Sequence, residues 1–235
     1  MTQVVLHIGD GKCGSSAIQS SLLQAGDALQ QMGVYYPLSE GIHNHFFMAA
    51  FAGTPAKFPL PPPGKLEAMV DAIKTAAARS GPDDTIVLSG ESMFLKKPAA
   101  LRDAVTRLVP QMRALHVIAY VRKPTEMYLS LVQQRLKSSH WFQKPEKYTR
   151  PIQRPVKVWK ALGLADTLQV RRFARGDLEG EDAVTDFAAC LARITGFAVP
   201  LQPVRENTSL SLEQCIVLQR LRTTMLQNEA RGFHP

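Results

Sequence analysis

The sequence has few cysteines, and their spacing does not fit a cross-linked or metal-bound framework. The 235 residues contain three cysteines, Cys13, Cys190 and Cys215, an odd number at wide intervals. A disulfide scaffold needs paired cysteines and a structural zinc site needs ligands at close spacing, so the pattern argues against both. We therefore expect reduced thiols and no bound metal.

Long apolar runs are also missing. No segment approaches the roughly 20 consecutive apolar residues that span a bilayer. The apolar run near the amino terminus, residues 4–8, is too short for a secretory signal and is followed at once by glycines. These absences predict a cytoplasmic protein without a membrane span.

The composition is that of a globular protein, and its charge is unevenly distributed. Hydrophobic residues make up 45% and charged residues 20% of the chain, and the formal net charge is +8. Residues 135–175, which we call the basic segment, hold eleven Lys or Arg and two acidic residues, a local charge of +9. Charge alone fits either a polyanion-binding surface or a solvated basic face.

Short apolar runs alternate with longer amphipathic stretches along most of the chain, which predicts strands alternating with helices. The first helix is predicted to run from about residue 18 to 32, and another from 98 to 112. We predict an α/β fold, a P-loop-like three-layer sandwich whose mostly parallel central sheet is flanked by helices, as a single domain over residues 1–235. Predicted strands lie at 4–8, 34–37, 85–91, 115–121 and 167–173.

The first strand leads into the glycine-rich sequence HIGDGKCGSSAIQ, residues 7–19. Glycines before a helix let the backbone approach a ligand, and the unpaired N–H groups of the helix start attract anions. In a Walker A loop, lysine follows the last glycine, but here Ser15 takes that place and Lys12 lies inside the loop. The departure counts against hydrolysis of a nucleoside triphosphate.

This loop resembles the 5′-phosphosulfate-binding loop of the sulfotransferases that use 3′-phosphoadenosine 5′-phosphosulfate (PAPS) as donor. The family pattern is lysine, a small hydroxyl residue, glycine and two Ser or Thr residues. The chain matches it in order through Lys12, Cys13, Gly14, Ser15 and Ser16. Cys13 departs from the pattern because a thiol replaces the hydroxyl.

Two later segments extend the resemblance. YVRKPTEMYLS, residues 120–130, is similar to the family's 3′-phosphate motif through Arg122, Pro124 and Ser130. RENTSLS, residues 205–211, resembles a late segment of bacterial and Golgi-type members. The resemblance implies that Arg122 and Ser130 bind the 3′-phosphate and that Lys12 neutralises the leaving oxygen. It also implies a 5′-phosphosulfate site at Gly11, Lys12, Cys13, Gly14, Ser15 and Ser16.

The acceptor hydroxyl must lose a proton as it attacks sulfur, so a base is expected near the strand ends. His45, after the second strand, resembles the histidine base of some carbohydrate sulfotransferases. Glu91, at the end of the third strand, resembles the glutamate base of others. The sequence leaves both open, with His43 and His7 as further candidates.

The resemblance implies an enzyme that moves a sulfuryl group from PAPS to a hydroxyl acceptor. The favoured acceptor is a carbohydrate or glycolipid, with the basic segment and its aromatic residues as a wall for an anionic glycan. No metal and no nucleic acid partner are expected, and the protein is predicted to be a monomer or homodimer. Two alternatives remain: a nucleotide or small-molecule kinase with an altered P-loop, and a non-catalytic module that binds nucleotide or polyanion.

Overall fold

The computed structural model describes residues 2–45, 47–48, 62–139, 141–204 and 210–225. These residues form a five-stranded sheet in the order β2-β3-β1-β4-β5, in which every pairing is parallel. The predicted α/β fold with a mostly parallel sheet is therefore confirmed. The strands are β1 Gln3–His7, β2 Val34–Tyr35, β3 Thr85–Ser89, β4 Ala114–Val121 and β5 Thr167–Arg172.

The central strands are buried along their whole length. All five residues of β1 and all five of β3 are buried, as expected when both faces of a parallel sheet are covered. The registers place His7 beside Ser89 on β3 and beside Ile118 on β4. The carboxyl ends of β1 and β3 therefore lie side by side.

The described chain contains eight α-helices. Short 3₁₀ turns lie at Glu91–Met93, Pro145–Lys147, Arg175–Asp177 and Glu179–Glu181. The helices are α1 Ser15–Gln24, α2 Gly26–Gln31, α3 Pro63–Arg79, α4 Pro98–Leu108, α5 Pro124–Leu136, α6 Gln153–Ala161, α7 Ala183–Thr195 and α8 Leu212–Thr224.

Two helix predictions were wrong in extent. The apolar stripe over 18–32 belongs to α1 and α2, which are separated at Ala25, where the backbone leaves the helical region at φ −87° and ψ 4°. The helix predicted to residue 112 ends at Leu108, because Pro110 disfavours a helical conformation at Val109. The sequence also predicts a last helix over residues 211–232, and the part of it beyond residue 225 lies outside the described residues.

The chain divides into two compact units. The first, Met1–Val121 with Pro151–Arg205, contains the sheet and the hydrophobic core. The second, Arg122–Arg150 with Glu206–Pro235, contains α5 and α8, and the Arg222 Nε donates to the carbonyl oxygen of Leu136 at 2.9 Å. The single-domain organisation stays a prediction. None of the described helices is long and apolar enough to cross a membrane.

Candidate functional site

The loop between β1 and α1, residues 9–14, is the anion loop. Gly14 ends it in the left-handed conformation at φ 75°. A Cβ there would lie 2.8 Å from the Cβ of Ala183 and 3.0 Å from a ring carbon of Phe173. Glycine is required for both reasons, and it lets the start of α1 pack closely against the start of α7.

The start of α1 is open to an anion. No side chain in the described chain caps its first N–H groups. By contrast, Asp182 caps α7 by accepting from the N–H groups of Val184 and Thr185 at 2.8 and 3.0 Å. Ser16 in the first turn of α1 is exposed. Uncapped N–H groups and the positive end of the helix dipole can hold a phosphate or sulfate here.

Lys12 holds a strained backbone conformation. Its φ is 59°, a left-handed value that costs a residue with a side chain roughly 1–2 kcal/mol. The Lys12 N–H donates to the Oε1 of Glu91 at 3.2 Å. The loop therefore brings a lysine and a carboxylate from another strand end to one place.

Two side chains of the anion loop turn back onto its own backbone. Asp10 is buried, and its Oδ1 accepts from the Gly11 N–H at 2.9 Å. The Cys13 thiol is also buried and donates to the Gly11 carbonyl oxygen at 3.5 Å. The Cys13 side chain therefore contacts the loop's own backbone.

Ser15, the first residue of α1, is buried beneath the loop. Its Oγ has no hydrogen-bond partner among the residues that the structure describes. A Cβ on Gly9 would clash with this Oγ, so a side chain at residue 9 would force the Ser15 hydroxyl to move. A buried hydroxyl without a partner at a helix start is a feature expected of an anion site.

A row of buried polar side chains lies under the anion loop. The Ser89 hydroxyl is 2.8 Å from the Nδ1 of His7 and accepts from the Gln19 Nε2 at 3.0 Å. Burial lowers the pKa of His7 to about 3, so its ring is neutral at pH 7. Sequence reasoning missed Ser89 and Gln19, although a serine that ends a mostly apolar strand is a signal that the sequence offers.

His45 does not have the geometry of the predicted base. It is fully buried, its Nδ1 accepts from the Ser89 N–H at 3.0 Å, and its Nε2 donates to the Pro37 carbonyl oxygen at 2.7 Å. Burial lowers the pKa of His45 to about 4. Both ring nitrogens are committed to the backbone, so the imidazole fixes the segment after β2 to the end of β3. His43 is exposed.

Glu91 lies directly beside the anion loop. It begins the 3₁₀ turn that follows β3, and its side chain is partly exposed. Besides accepting from Lys12, its Oε1 lies 3.2 Å from the position of a Cβ on Gly11. Of the two main candidate bases, His45 and Glu91, Glu91 is the one whose side chain bonds the backbone of the anion loop.

A second buried network, which the sequence did not indicate, holds the neighbouring strands and α7 together. Asp186 is fully buried; it accepts from the Tyr120 hydroxyl at 2.7 Å and pairs with Arg171 through two hydrogen bonds. Burial alone would raise the pKa of Asp186, but bonds from Arg171, the Glu179 N–H and Tyr120 outweigh it and lower that pKa.

The predicted 3′-phosphate residues belong to the second unit. Arg122 follows β4 directly in the chain, and its Nε lies 3.6 Å from a carboxylate oxygen of Glu126, one turn along α5. Ser130 is partly buried on the same helix. Their binding role stays a prediction.

The two tryptophans of the basic segment differ in exposure. The side chain of Trp141 is 65% exposed, whereas that of Trp159 is 2% exposed and belongs to the core. Trp159 therefore cannot present its ring to an acceptor. His140 and residues 205–209 of the third motif lie outside the described residues. Within the described ranges, no three His, Cys, Asp or Glu residues form a metal-ligand cluster.

No protein-family model and no curated protein matches this chain. A structure from the PezAT chromosomal toxin–antitoxin system of the human pathogen Streptococcus pneumoniae is similar, with a TM-score of 0.41 and 11% identity over 97% of this chain and 88% of that chain. Retinol dehydratase, in complex with androsterone and inactive cofactor PAP, has a TM-score of 0.34 and 16% identity over 93% of this chain and 63% of that chain. At these values neither likeness bears on function.

Proposed function

We propose that this protein is a PAPS-dependent sulfotransferase acting on a hydroxyl acceptor. One observation carries the proposal: Lys12 and Glu91, which lie 79 residues apart in the chain and which the same resemblance implicates, meet at the anion loop, with the Lys12 N–H 3.2 Å from the Glu91 Oε1. The uncapped start of α1 and the buried Ser15 hydroxyl support an anion site at the same loop.

In the proposed reaction, Glu91 accepts the proton of the acceptor hydroxyl as the acceptor oxygen attacks sulfur. The bond between sulfur and the bridging oxygen breaks, and its electron pair leaves with adenosine 3′,5′-bisphosphate. Lys12 neutralises the charge that develops on that oxygen. The N–H groups at the start of α1 hold the 5′-phosphate. The resemblance of residues 120–130 to the family's 3′-phosphate motif, and not a contact in the structure, assigns the 3′-phosphate to Arg122 and Ser130. A carbohydrate or glycolipid remains the acceptor we favour.

Titration calorimetry with adenosine 3′,5′-bisphosphate and, separately, with ATP and magnesium tests the donor. We expect micromolar binding of the bisphosphate and little binding of ATP, because the Walker lysine position holds Ser15. Arg122→Ala is expected to weaken binding of the bisphosphate by about 1.5–3 kcal/mol, because a charge-assisted contact is lost. Arg107→Ala, which removes an exposed arginine of α4, is the matched control. A preference for ATP would replace this proposal with the kinase alternative.

A pair of variants tests the base. Glu91→Gln is expected to lower turnover, measured as bisphosphate released from PAPS with a panel of hydroxyl acceptors, by about 10²- to 10⁴-fold. His45→Gln is expected to lower the melting temperature while the folded protein keeps most of its turnover, since both ring nitrogens of His45 bond backbone groups, those of Pro37 and Ser89. The opposite pattern would restore His45 as the base.

A further inference from the structure

Protein carboxylates occupy two consecutive backbone donors of the anion loop. Asp10 accepts from the Gly11 N–H at 2.9 Å, and Glu91 accepts from the Lys12 N–H at 3.2 Å. Successive N–H groups in a turn form an anion-binding concavity. Asp10 is buried and bonds the next residue in the chain. Glu91 comes from another part of the chain, just after the carboxyl end of β3, and its side chain is partly exposed.

We propose that Glu91 is a displaceable occupant of the donor site: its carboxylate holds the Lys12 N–H until the 5′-phosphosulfate of the donor takes that place. This inference rests on the proposed function. Two anions at one group of donors repel each other, so donor binding and the Glu91 contact oppose one another. Once displaced, the carboxylate is released from the loop and can accept the acceptor's proton.

The local structure allows this exchange. Glu91 begins a single 3₁₀ turn after Gly90, so the side chain is not fixed within a long helix. The absence of a side chain at Gly11 leaves space for the Glu91 carboxylate, because a Cβ at residue 11 would lie only 3.2 Å from the Glu91 Oε1. The consequence is an order of events in which the base is released only after the donor is bound.

The test compares two nucleotides that differ only at the competing position. Adenosine 3′,5′-bisphosphate carries the 5′-anion, and adenosine 3′-phosphate lacks it. Both are titrated into the wild type, Glu91→Gln and Glu67→Gln, an exposed glutamate on α3 whose substitution changes the net charge equally. We expect Glu91→Gln to bind the bisphosphate about fivefold or more tightly, the size of a typical coupling between sites. Affinity for adenosine 3′-phosphate should be the same in all three proteins.

The outcomes separate this inference from the proposed function. If the wild type binds the bisphosphate and Glu91→Gln binds it no better, displacement is wrong while the donor assignment stands. An equal gain for adenosine 3′-phosphate would also overturn displacement, because it would show a general effect of charge. If neither the wild type nor Glu91→Gln binds the bisphosphate, the proposed function and the displacement of Glu91 are both wrong. Glu91→Ala, which removes the carboxylate entirely, should reproduce the gain and guards against a defect specific to glutamine.

Discussion

Lys12→Ala is expected to lower turnover of PAPS by about 10²- to 10³-fold, the loss found when one group that stabilises developing charge is removed. Binding of adenosine 3′,5′-bisphosphate should weaken much less, because in the proposed site the N–H groups of α1 bind the 5′-phosphate independently of the Lys12 side chain. Steady-state kinetics with calorimetry on the same preparations measures both. Lys74→Ala, at an exposed position of α3, controls for the lost charge.

The strained backbone of Lys12 offers a sharper control. Glycine adopts a φ of 59° without the penalty of a side chain, so Lys12→Gly should be more stable than Lys12→Ala by about 1 kcal/mol. If the side chain performs the chemistry, both variants lose turnover equally despite this difference in stability. Recovery of turnover in Lys12→Gly would instead assign the defect to loop conformation, and unchanged turnover in Lys12→Ala would remove Lys12 from the reaction.

The sequence was most informative where local chemistry decides the structure. Alternating apolar runs predicted a parallel sheet, and the glycines predicted a tight turn before α1, where Gly14 has φ 75°. The third strand was predicted to end at Glu91; it ends at Ser89, and Glu91 begins the 3₁₀ turn after Gly90, still on the side of the sheet where the carboxyl ends of the strands lie. These features depend on neighbouring residues or on a general rule of the fold.

Long-range pairing was outside the reach of such reasoning. His45 was a candidate base by position, and the sequence did not indicate that its ring is buried and accepts from the Ser89 N–H, 44 residues away. The hydrogen bond between Tyr120 and Asp186 joins residues 66 positions apart. The sequence pattern of α7 does not show whether Asp186 is buried or lies on the surface. The partner of a polar side chain is fixed by packing, which a single sequence does not display.

Asp186→Ala is expected to cause the largest loss of stability of any change considered. Breaking a buried ion pair costs about 3–5 kcal/mol, and the lower end applies because Arg171 is 28% exposed and can be partly rehydrated. The lost free energy also includes the bonds from the Tyr120 hydroxyl and the Glu179 N–H. Urea denaturation at pH 7 measures the difference from the wild type. Asp103→Ala, which breaks an exposed pair with Arg107, should cost less than about 1 kcal/mol.

The difference in stability between the wild type and Asp186→Ala should become smaller as the pH falls. Because the pKa of Asp186 in the folded protein lies below its usual value, the stability it contributes is complete above the unfolded pKa of about 4 and is lost as the pH falls through the folded pKa. The gap between wild type and Asp186→Ala should therefore narrow at pH 3 relative to pH 7. A gap that stays constant would mean that the ionised carboxylate adds nothing beyond its volume, and the Arg171 pair would then be a consequence of the fold and not a cause of its stability.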